Sequence, residues 1–558
     1  MKSLTLSFLC VLVASPVCAA RAAGSDARTT VHLADESIHA DELSRHVRML
    51  ASDEFEGRAP ATPGETRTVA YLVDEFAKVG VQPGGENGTW VQSVPLVRAQ
   101  VDGAVTAQLQ FGGKVQTLAN GEDVVLQTLQ PVDRVEVANA PLVFVGYGID
   151  APERNWDDYK GVDLHGKVAV VLVNDPDFEA GAGDFDGRGM TYYGRWTYKY
   201  EELARKGALG VLIVHETAPA AYGWATVRAS GLSPVFDIER TDARAYHTHL
   251  RGWMQRGLAV SLFQRAGLDF ETEKKKAQGR DFKPLPLGDA RLSASFAVKR
   301  ERVLSQNVIG KLEGAVHPDE SVIYSAHWDA FGLGEADASG DPVRHGAVDN
   351  ATGVASVLEL ARVFAAGPRS QRTLLFIAFT AEEKGLLGAM HYAAHPVMAL
   401  EKTAAVLNME MFSPDGPMRD IASWGNGRVS LEADLKRVAE ANGRSYLHNP
   451  NPESGFFYRA DHFAFARAGV PAITAGAGKD LRDGGLSRGE ALFTKYFANC
   501  YHQPCDNWTL AWNAQGHAED TALLYSLGRE IANSSDWPQW QEGSEFKAIR
   551  DVSVAVRQ

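Results

Sequence analysis

Cysteine is scarce in this chain, with four among 558 residues. Cys10 and Cys18 lie in the first two dozen residues, whereas Cys500 and Cys505 stand on either side of His502. The second pair is five residues apart, so in an oxidising compartment it can close a small loop. Two unpaired buried thiols are the alternative, because spacing alone does not establish disulfide geometry.

An excess of basic residues is also absent. Lysine and arginine total 56 against 70 aspartates and glutamates, which gives a formal charge of −14, and no basic run stands out. Nucleic acid and anionic membrane surfaces are therefore not expected as partners. Beyond the amino terminus no segment reaches the roughly 18 uninterrupted apolar residues that a membrane-spanning helix needs, so we expect no stable membrane insertion.

The amino-terminal segment has the pattern of a secretory signal. A basic start precedes the apolar stretch Leu4–Val17, which is too short for a membrane span, and small residues follow. We predict a signal peptide at residues 1–22. Val17 before Cys18 is a poor fit to a lipoprotein processing site, so the sequence predicts a soluble product that is secreted or periplasmic.

The length of the chain and its changing pattern predict several domains. Residues 36–130 are expected to form the first part of a larger domain. They begin with two amphipathic helices, 41–50 and 66–79, and continue with short alternating runs between Trp90 and Leu126 that predict antiparallel strands.

Residues 131–285 have a different texture, with apolar runs separated by loops rich in glycine, aspartate and tyrosine. The pattern predicts strands at Leu142–Val145, Val168–Val173 and Leu209–Val214 with a few helices, of which one is Tyr198–Lys206. We interpret this segment as a smaller β-rich domain inserted into the larger one. It contains no obvious cluster of metal-ligating residues.

Residues 286–545 are expected to complete the larger domain, and residues 546–558 form a tail. A helix is predicted at about Gly353–Ala366. The predicted strands are nearly continuous apolar runs: Val322–Ala326, Thr373–Phe379, Ala404–Asn408 and Ala472–Ala475. Such runs suit parallel strands that are covered on both faces. The predicted fold class is therefore α/β, with a mixed, mostly parallel sheet and helices on both faces.

Metal-binding side chains follow these strands. In chain order they are His327, Asp349, Glu382, Glu383, Glu410 and His502. Taken singly, each residue is weak evidence for a metal site. Asp349 can be a helix N-cap, for example, and paired glutamates usually form a solvated helix start. Ligand sites of open α/β sheets lie past the carboxyl ends of the strands, so we expect the whole set to converge there. Histidines and carboxylates can hold two divalent ions that hydrolyse amides, and a spare carboxylate can take the proton of a water molecule.

Four motifs resemble the co-catalytic zinc aminopeptidase family, which also contains the glutamate carboxypeptidases and a non-catalytic transferrin-receptor branch. They are Ser-Ala-His327-Trp-Asp329, Asp349-Asn350-Ala-Thr-Gly353, Thr-Ala-Glu382-Glu383-Lys-Gly385-Leu-Leu-Gly388 and Tyr501-His502-Gln-Pro504. Residues 131–285 resemble the protease-associated domain, notably at Phe144–Gly148 and Lys167–Val171. The resemblance covers nearly all of the mature chain and implies a peptidase with two Zn²⁺ per chain.

The resemblance implies a ligand set. Asp349 would bridge the two zinc ions, His327 and Glu410 would complete one ion, and Glu383 and His502 would complete the other. Glu410 departs from the usual pattern, since most of these aminopeptidases have Asp there. The extra methylene lengthens the reach by roughly 1.5 Å, which a small backbone withdrawal can absorb, although it can also change metal preference.

Other roles follow from the same resemblance. Glu382 would be the general base, which takes a proton from the attacking water and delivers it to the leaving amine. Asp329 would fix the ring of His327. Tyr501 would hydrogen-bond the developing oxyanion, with an ordinary packed aromatic as the alternative.

The stretch around Tyr458, Arg459 and Asp461 resembles the substrate-side loop of the family. These residues are candidates to line the cleft or to support the metal ligands. Arg459 can bind a substrate carboxylate in a bidentate manner, and a structural Arg–Asp pair is the alternative.

The leading hypothesis is an exported aminopeptidase that acts on peptides. A carboxypeptidase or dipeptidase on the same scaffold would need a cluster of arginines for the terminal carboxylate, and Arg459 is the one obvious candidate. A non-catalytic receptor-like protein is a further alternative, against which the retained Glu382 argues. Glutaminyl cyclisation, which typically uses one zinc ion, is the last alternative. The sequence does not define the oligomeric state.

Overall fold

The computed structural model describes residues 38–425 and 427–557. The predicted signal peptide, residues 1–22, lies outside the described residues. In the part of the chain that the structure describes, no helix combines the length and the apolar character needed to cross a bilayer.

The larger α/β region is built on four adjacent parallel strands. In spatial order they are Arg372–Phe379, His317–His327, Thr403–Met409 and Ala472–Ala477. Asp420–Ser423 runs antiparallel to the last of them, and Ser445–His448 pairs with Asp420–Ser423. At the other side the carboxyl half of Leu285–Leu312 runs antiparallel to Arg372–Phe379. The predicted mixed, mostly parallel sheet is confirmed, and all four predicted strands are present with wider bounds.

Helices cover both faces of this sheet. Along Arg372–Phe379 every residue is buried, and alternate side chains such as Phe376 and Ile377 join different hydrophobic clusters on opposite faces. The helices on the Phe376 side are Ala40–Leu50, Pro63–Lys78, Thr352–Ala366, Ser430–Ala441 and Gln515–Ala532. The helices on the Ile377 side are Leu387–Ala394 and His462–Arg467. The helices predicted at 41–50, 66–79 and 353–366 are thus confirmed.

Residues 131–285 contribute a second group of parallel strands. They are Arg134–Phe144, Val168–Leu172, Gly210–His215 and Leu250–Gln255, of which the last is an addition to the three predicted strands. Val124–Gln127 precedes residue 131, yet it pairs antiparallel with Leu250–Gln255 in the same sheet. The longer helices of this region are Trp196–Arg205, Trp224–Leu232, Arg256–Arg265 and Phe270–Lys276, and the first of them confirms the helix predicted at Tyr198–Lys206.

Two long antiparallel strands run between the regions. Val91–Phe111 pairs with Leu285–Leu312 from Val91 opposite Val308 to Gln110 opposite Arg291. The sequence predicted short strands between Trp90 and Leu126. This prediction is wrong for Val91–Phe111, which is one continuous strand of 21 residues. The Asp102-Gly103 pair looks like a turn in the sequence, but it lies at a β-bulge where the register shifts. Gly103 adopts φ 76° at this bulge, and the two strands pair again on its far side.

Candidate metal centre

The predicted ligands converge at the carboxyl edge of the parallel strands. His327 is the last residue of its strand, and Glu410 directly follows Thr403–Met409. Asp349 lies just ahead of the helix Thr352–Ala366, and His502 follows the helix Gly485–Asn499. Strand ends and loops that are far apart in the chain therefore present their side chains to one small volume.

The carboxylate of Asp349 lies between two histidines. Its Oδ1 is 3.3 Å from His327 Nε2, and its Oδ2 is 3.2 Å from His502 Nε2. Each histidine also contacts one further carboxylate, with Glu410 Oε1 3.2 Å from His327 and Glu383 Oε2 3.3 Å from His502. The side chains therefore form two sets of potential ligands, and Asp349 belongs to both. Within each set the ligand atoms lie within 4.8 Å of one another.

This donor set fits divalent cations. Among the described residues, Glu383 Oε1 and His502 Nε2 are buried atoms without a hydrogen-bond partner. Buried polar atoms normally have partners, so these two are suited to coordinate an ion. Imidazole nitrogen combined with carboxylate oxygen is a donor set that zinc accepts.

Glu382 lies beside the two ligand sets and is mostly buried. Its Oε2 is 3.9 Å from His327 Nε2. Burial raises the pKa of Glu382 well above its ordinary value, and the charges of Glu383 and Glu410 add to the rise. For Asp349, the effect of burial is outweighed by the neighbouring imidazoles of His327 and His502, and its pKa lies below the ordinary value. The two carboxyl groups therefore differ strongly in basicity.

Asp329 contacts the main chain of the paired glutamates. Its carboxylate accepts hydrogen bonds from the N–H groups of Glu382 (2.9 Å) and Glu383 (3.3 Å). The backbone carbonyl of Asp329 is 3.0 Å from His327 Nδ1, whereas its carboxylate oxygen is 3.7 Å from that atom. The contact that orients the His327 ring is therefore made mainly by the main-chain oxygen, and the carboxylate supports the glutamates.

Tyr501 stacks on His502, with ring centroids 3.7 Å apart. Its hydroxyl oxygen accepts a 3.0 Å hydrogen bond from Arg459 Nη2. Burial raises the pKa of Tyr501 well above its ordinary value in spite of the Arg459 charge, so the phenol stays protonated. The hydroxyl hydrogen remains available to another acceptor.

The other two residues of the substrate-side loop differ in their surroundings. Tyr458 lines the cavity beside the metal centre, and its hydroxyl accepts a hydrogen bond from Arg428. Asp461 is fully buried, and neither of its carboxylate oxygens has a hydrogen-bond partner among the described residues. Burial raises the pKa of Asp461 well above its ordinary value, against the charge of His327. Asp461 is therefore a buried neighbour of the ligands, whereas Tyr458 and Arg459 face the cavity.

The loop that carries His502 is tied down at both ends. Cys500 and Cys505 form a disulfide. The next residue, Asp506, accepts hydrogen bonds from the N–H groups of Val348 (2.8 Å) and Asp349 (3.1 Å). Asp506 thus joins the His502 loop to the Asp349 loop, and no sequence pattern marked it.

Arg58 is a second residue that sequence reasoning missed. It is completely buried, and its guanidinium donates to the carbonyls of Trp328 (2.8 Å), His345 (2.7 Å) and Gly346 (2.8 Å). These carbonyls belong to the segments that hold His327 and Asp349. In the sequence Arg58 is a single cation in a loop, and nothing in its neighbourhood indicates burial.

A cavity of about 280 Å³ opens onto these side chains. Asp349, Glu382, Glu383, Glu410 and His502 all contribute to its wall. Residues of the 131–285 segment also line the cavity, among them Tyr192, Tyr222 and Trp253. The cavity is therefore enclosed by both regions of the chain.

Comparison with known families agrees with this geometry. Residues 307–526 match the model of peptidase family M28. The chain carries an M28 peptidase domain. All five predicted ligands and Glu382 lie within the matched range, so the side chains that converge in the structure belong to the M28 domain.

Relatives resemble parts of the chain. A probable zinc metalloprotease of Pyrenophora teres f. teres is 34% identical over 155 residues, which cover 25% of this chain and 33% of that protein. Aminopeptidase NAALADL1 of Mus musculus is 33% identical over 270 residues, or 44% of this chain and 32% of that protein. The chain thus spans about a third of the length of these curated relatives.

A solved structure resembles most of the chain. The aminopeptidase from Aneurinibacillus sp. strain AM-1 aligns over 89% of this chain and 95% of that chain, with a TM-score of 0.51 and 20% sequence identity. At this level of identity the similarity shows that the two proteins share a fold.

Proposed function

We propose that this protein is a zinc metallopeptidase that holds two zinc ions and removes amino-terminal residues from peptides. The observation that carries the proposal is the position of the Asp349 carboxylate, with one oxygen 3.3 Å from His327 and the other 3.2 Å from His502. His327 and Glu410 would hold one ion, and Glu383 and His502 the other. When bound, the ions would polarise the peptide carbonyl and lower the pKa of a water molecule.

Glu382 would act as the general base. It takes the proton of the attacking water and delivers it to the amine that leaves when the peptide bond breaks. Burial and the neighbouring carboxylates raise its pKa above the ordinary value, which makes the carboxylate a stronger base toward the water proton. Asp329 holds the backbone of Glu382 in place through the 2.9 Å hydrogen bond.

Tyr501 would stabilise the negative charge that develops on the carbonyl oxygen. Because Arg459 donates to the hydroxyl oxygen of Tyr501, the hydroxyl hydrogen can be donated to the substrate. The nearby guanidinium also makes the phenol a stronger hydrogen-bond donor. Such donors, aimed at developing charge in a site that excludes water, are among the largest contributions to catalysis.

Export and the identity of the smaller region complete the proposal. The pattern of residues 1–22 supports a cleaved signal peptide, and the motifs of residues 131–285 support a protease-associated domain. Mass spectrometry of the protein recovered from its native compartment tests the first point. A mature chain that retains its first 22 residues contradicts it.

The central experiment combines metal analysis with a substrate screen. We expect two zinc ions per chain by inductively coupled plasma mass spectrometry, and hydrolysis of leucine p-nitroanilide that chelation abolishes and zinc restores. The N-acetylated form of the same substrate should be inert. Hydrolysis of blocked substrates alone would reject the aminopeptidase assignment, and full activity with one tightly held ion would reject the two-ion site.

A further inference from the structure

Two histidines lie side by side on the helix that follows the paired glutamates. His391 belongs to the helix Leu387–Ala394, and His395 is the residue at its carboxyl end. Residues four apart are neighbours on one face of a helix. Accordingly the two rings are stacked, with their centroids 4.6 Å apart. Neither histidine lines the cavity beside the metal centre, so the pair is a separate feature of the M28 domain.

The distance between the two rings matches that of imidazoles bound to one metal ion. A zinc ion lies about 2.0–2.1 Å from each imidazole nitrogen that binds it. Two imidazoles that meet at an ion with an angle of about 90–110° therefore have centroids about 4.5–5.2 Å apart. The centroids of His391 and His395 are 4.6 Å apart, at the lower end of this range. The helix thus already holds the two rings at the separation that a shared ion requires.

Main-chain oxygens orient both rings. His395 Nδ1 lies 3.3 Å from the carbonyl oxygen of His391. A ring N–H of His391 donates in turn to the main chain of Ser93. A histidine that binds a metal usually donates its second ring N–H to such an oxygen, which fixes the tautomer and the orientation of the ring. The other nitrogen of each ring can then bind an ion.

The carboxylate of Glu86 supplies negative charge at this place. Its Oε2 accepts a 3.2 Å hydrogen bond from the N–H of Ser93, whose main chain also contacts His391. The charge of Glu86 raises the pKa of His391, although burial and the charge of His395 lower that pKa by more. His391 is therefore neutral at pH 7, which is the form that binds metals, and a cation bound there has a counter-charge nearby.

The backbone around the pair is fixed. Gln92 is fully buried, and its Nε2 donates a 2.6 Å hydrogen bond to the carbonyl of His395. The carboxyl end of the helix is thus tied to the strand Val91–Phe111, which also contains Ser93. The carboxyl end of a helix carries partial negative charge, which favours a cation. The histidines are therefore held in place on a helix end that suits a metal ion.

We propose that His391 and His395 together bind one divalent transition-metal ion, outside the metal centre of the M28 domain. One nitrogen of each ring binds the ion, and water molecules fill its remaining positions. Imidazole sites bind Cu²⁺ more tightly than Zn²⁺, so Cu²⁺ is the preferred ion. Because the rings are also bonded to the helix end and to Ser93, a bound ion stabilises the contact between the helix and the strand Val91–Phe111.

The test is a titration of the zinc-loaded protein with Cu²⁺, followed by electron paramagnetic resonance. We expect the wild type to bind one Cu²⁺ per chain, with the hyperfine pattern of two imidazole nitrogens. His391→Gln and His395→Gln should each weaken this binding by at least about 10-fold, because losing even a residue that supports a metal ligand typically costs 10–100-fold. Cu²⁺ should raise the Tm of the wild type and leave the Tm of the double variant unchanged.

His165→Gln is the matched control, since the side chain of His165 is 80% exposed and lies in the 131–285 segment. It should bind Cu²⁺ as the wild type does. The zinc content of all the variants should equal that of the wild type, which shows that they fold and that copper has not replaced zinc. Glu86→Gln should weaken Cu²⁺ binding by less than either histidine substitution, because it removes a charge and leaves both rings.

Two results would overturn the proposal. The first is Cu²⁺ binding that is as tight in His391→Gln and His395→Gln as in the wild type. The second is release of zinc in step with copper uptake, since copper would then occupy the metal centre. The readout is the difference between the wild type and the histidine variants, so it stands whether or not the protein acts as an aminopeptidase.

Discussion

The carboxylate of Asp329 accepts a 2.9 Å hydrogen bond from the main-chain N–H of Glu382. A second bond of 3.3 Å comes from the N–H of Glu383. Asp329 is fully buried, so both bonds are shielded from water. One carboxylate thus fixes the backbone of the proposed base and of a proposed zinc ligand.

Replacement of Asp329 with asparagine should lower kcat by about 10- to 100-fold, the usual effect of removing a group that supports metal ligands. The amide of Asn keeps one acceptor oxygen and cannot serve both N–H groups. Steady-state kinetics with zinc analysis measures the effect. Asp483→Asn, at a 93% exposed position, is the control and should match the wild type. A wild-type rate in Asp329→Asn would remove Asp329 from the site.

Glu382→Gln should keep both zinc ions and lose turnover. Glutamine has the same shape but cannot accept the water proton, and general acid–base catalysis contributes about 10²–10⁴-fold. Single-turnover kinetics at saturating substrate and metal analysis of the same sample give the two readouts. Glu440→Gln, on the exposed face of Ser430–Ala441, is the matched control. Near-normal turnover in Glu382→Gln means that another group is the base.

Asp349→Asn should lose metal and activity together. The neutral amide offers one weak ligand oxygen where the carboxylate reaches both histidines at 3.2–3.3 Å. We expect fewer than two zinc ions per chain after dialysis, with no recovery at micromolar zinc. A variant that still held two ions would show that Asp349 is not the shared ligand.

His517 should make the protein less stable in acid. Burial lowers the pKa of His517 to about 3, and its Nε2 is 2.7 Å from Ser356 Oγ. A histidine in the unfolded chain has a pKa near 6.5. Above pH 6.5 His517 is neutral in both states, whereas at lower pH only the unfolded chain takes up the proton. The folded state therefore loses stability as the pH falls from 6.5 toward 3. Between pH 6.5 and 4.5 the free energy of unfolding should fall by about 2 kcal/mol more in the wild type than in His517→Gln.

Urea unfolding at several pH values measures this difference. The control is His165→Gln, because the side chain of His165 is 80% exposed. Parallel pH curves for the wild type and His517→Gln would contradict the assignment.

The sheet and the convergence of the candidate ligands could be predicted because each depends on local pattern. Continuous apolar runs marked the four parallel strands, and polar residues directly after them marked the site. His327 and Glu410 follow their strands in the sequence just as they do in the structure. Strand ends that meet at one edge of a sheet bring such residues together without further information.

The residues that support the ligands could not be predicted in this way. Arg58 contacts Trp328 across 270 residues of chain, and Asp506 contacts Asp349 across 157. Both residues form hydrogen bonds with main-chain atoms. Every residue type has these atoms, so the sequence of the contacted segment does not reveal the contact.

The long strands Val91–Phe111 and Leu285–Leu312 give the protein a stiff ladder between its two halves. Opening the cavity above the proposed zinc ligands by swinging the smaller half outward would require this ladder to flex. The proposed peptidase would therefore work with a cleft of nearly constant width, and long or bulky peptides should be cut more slowly than short ones.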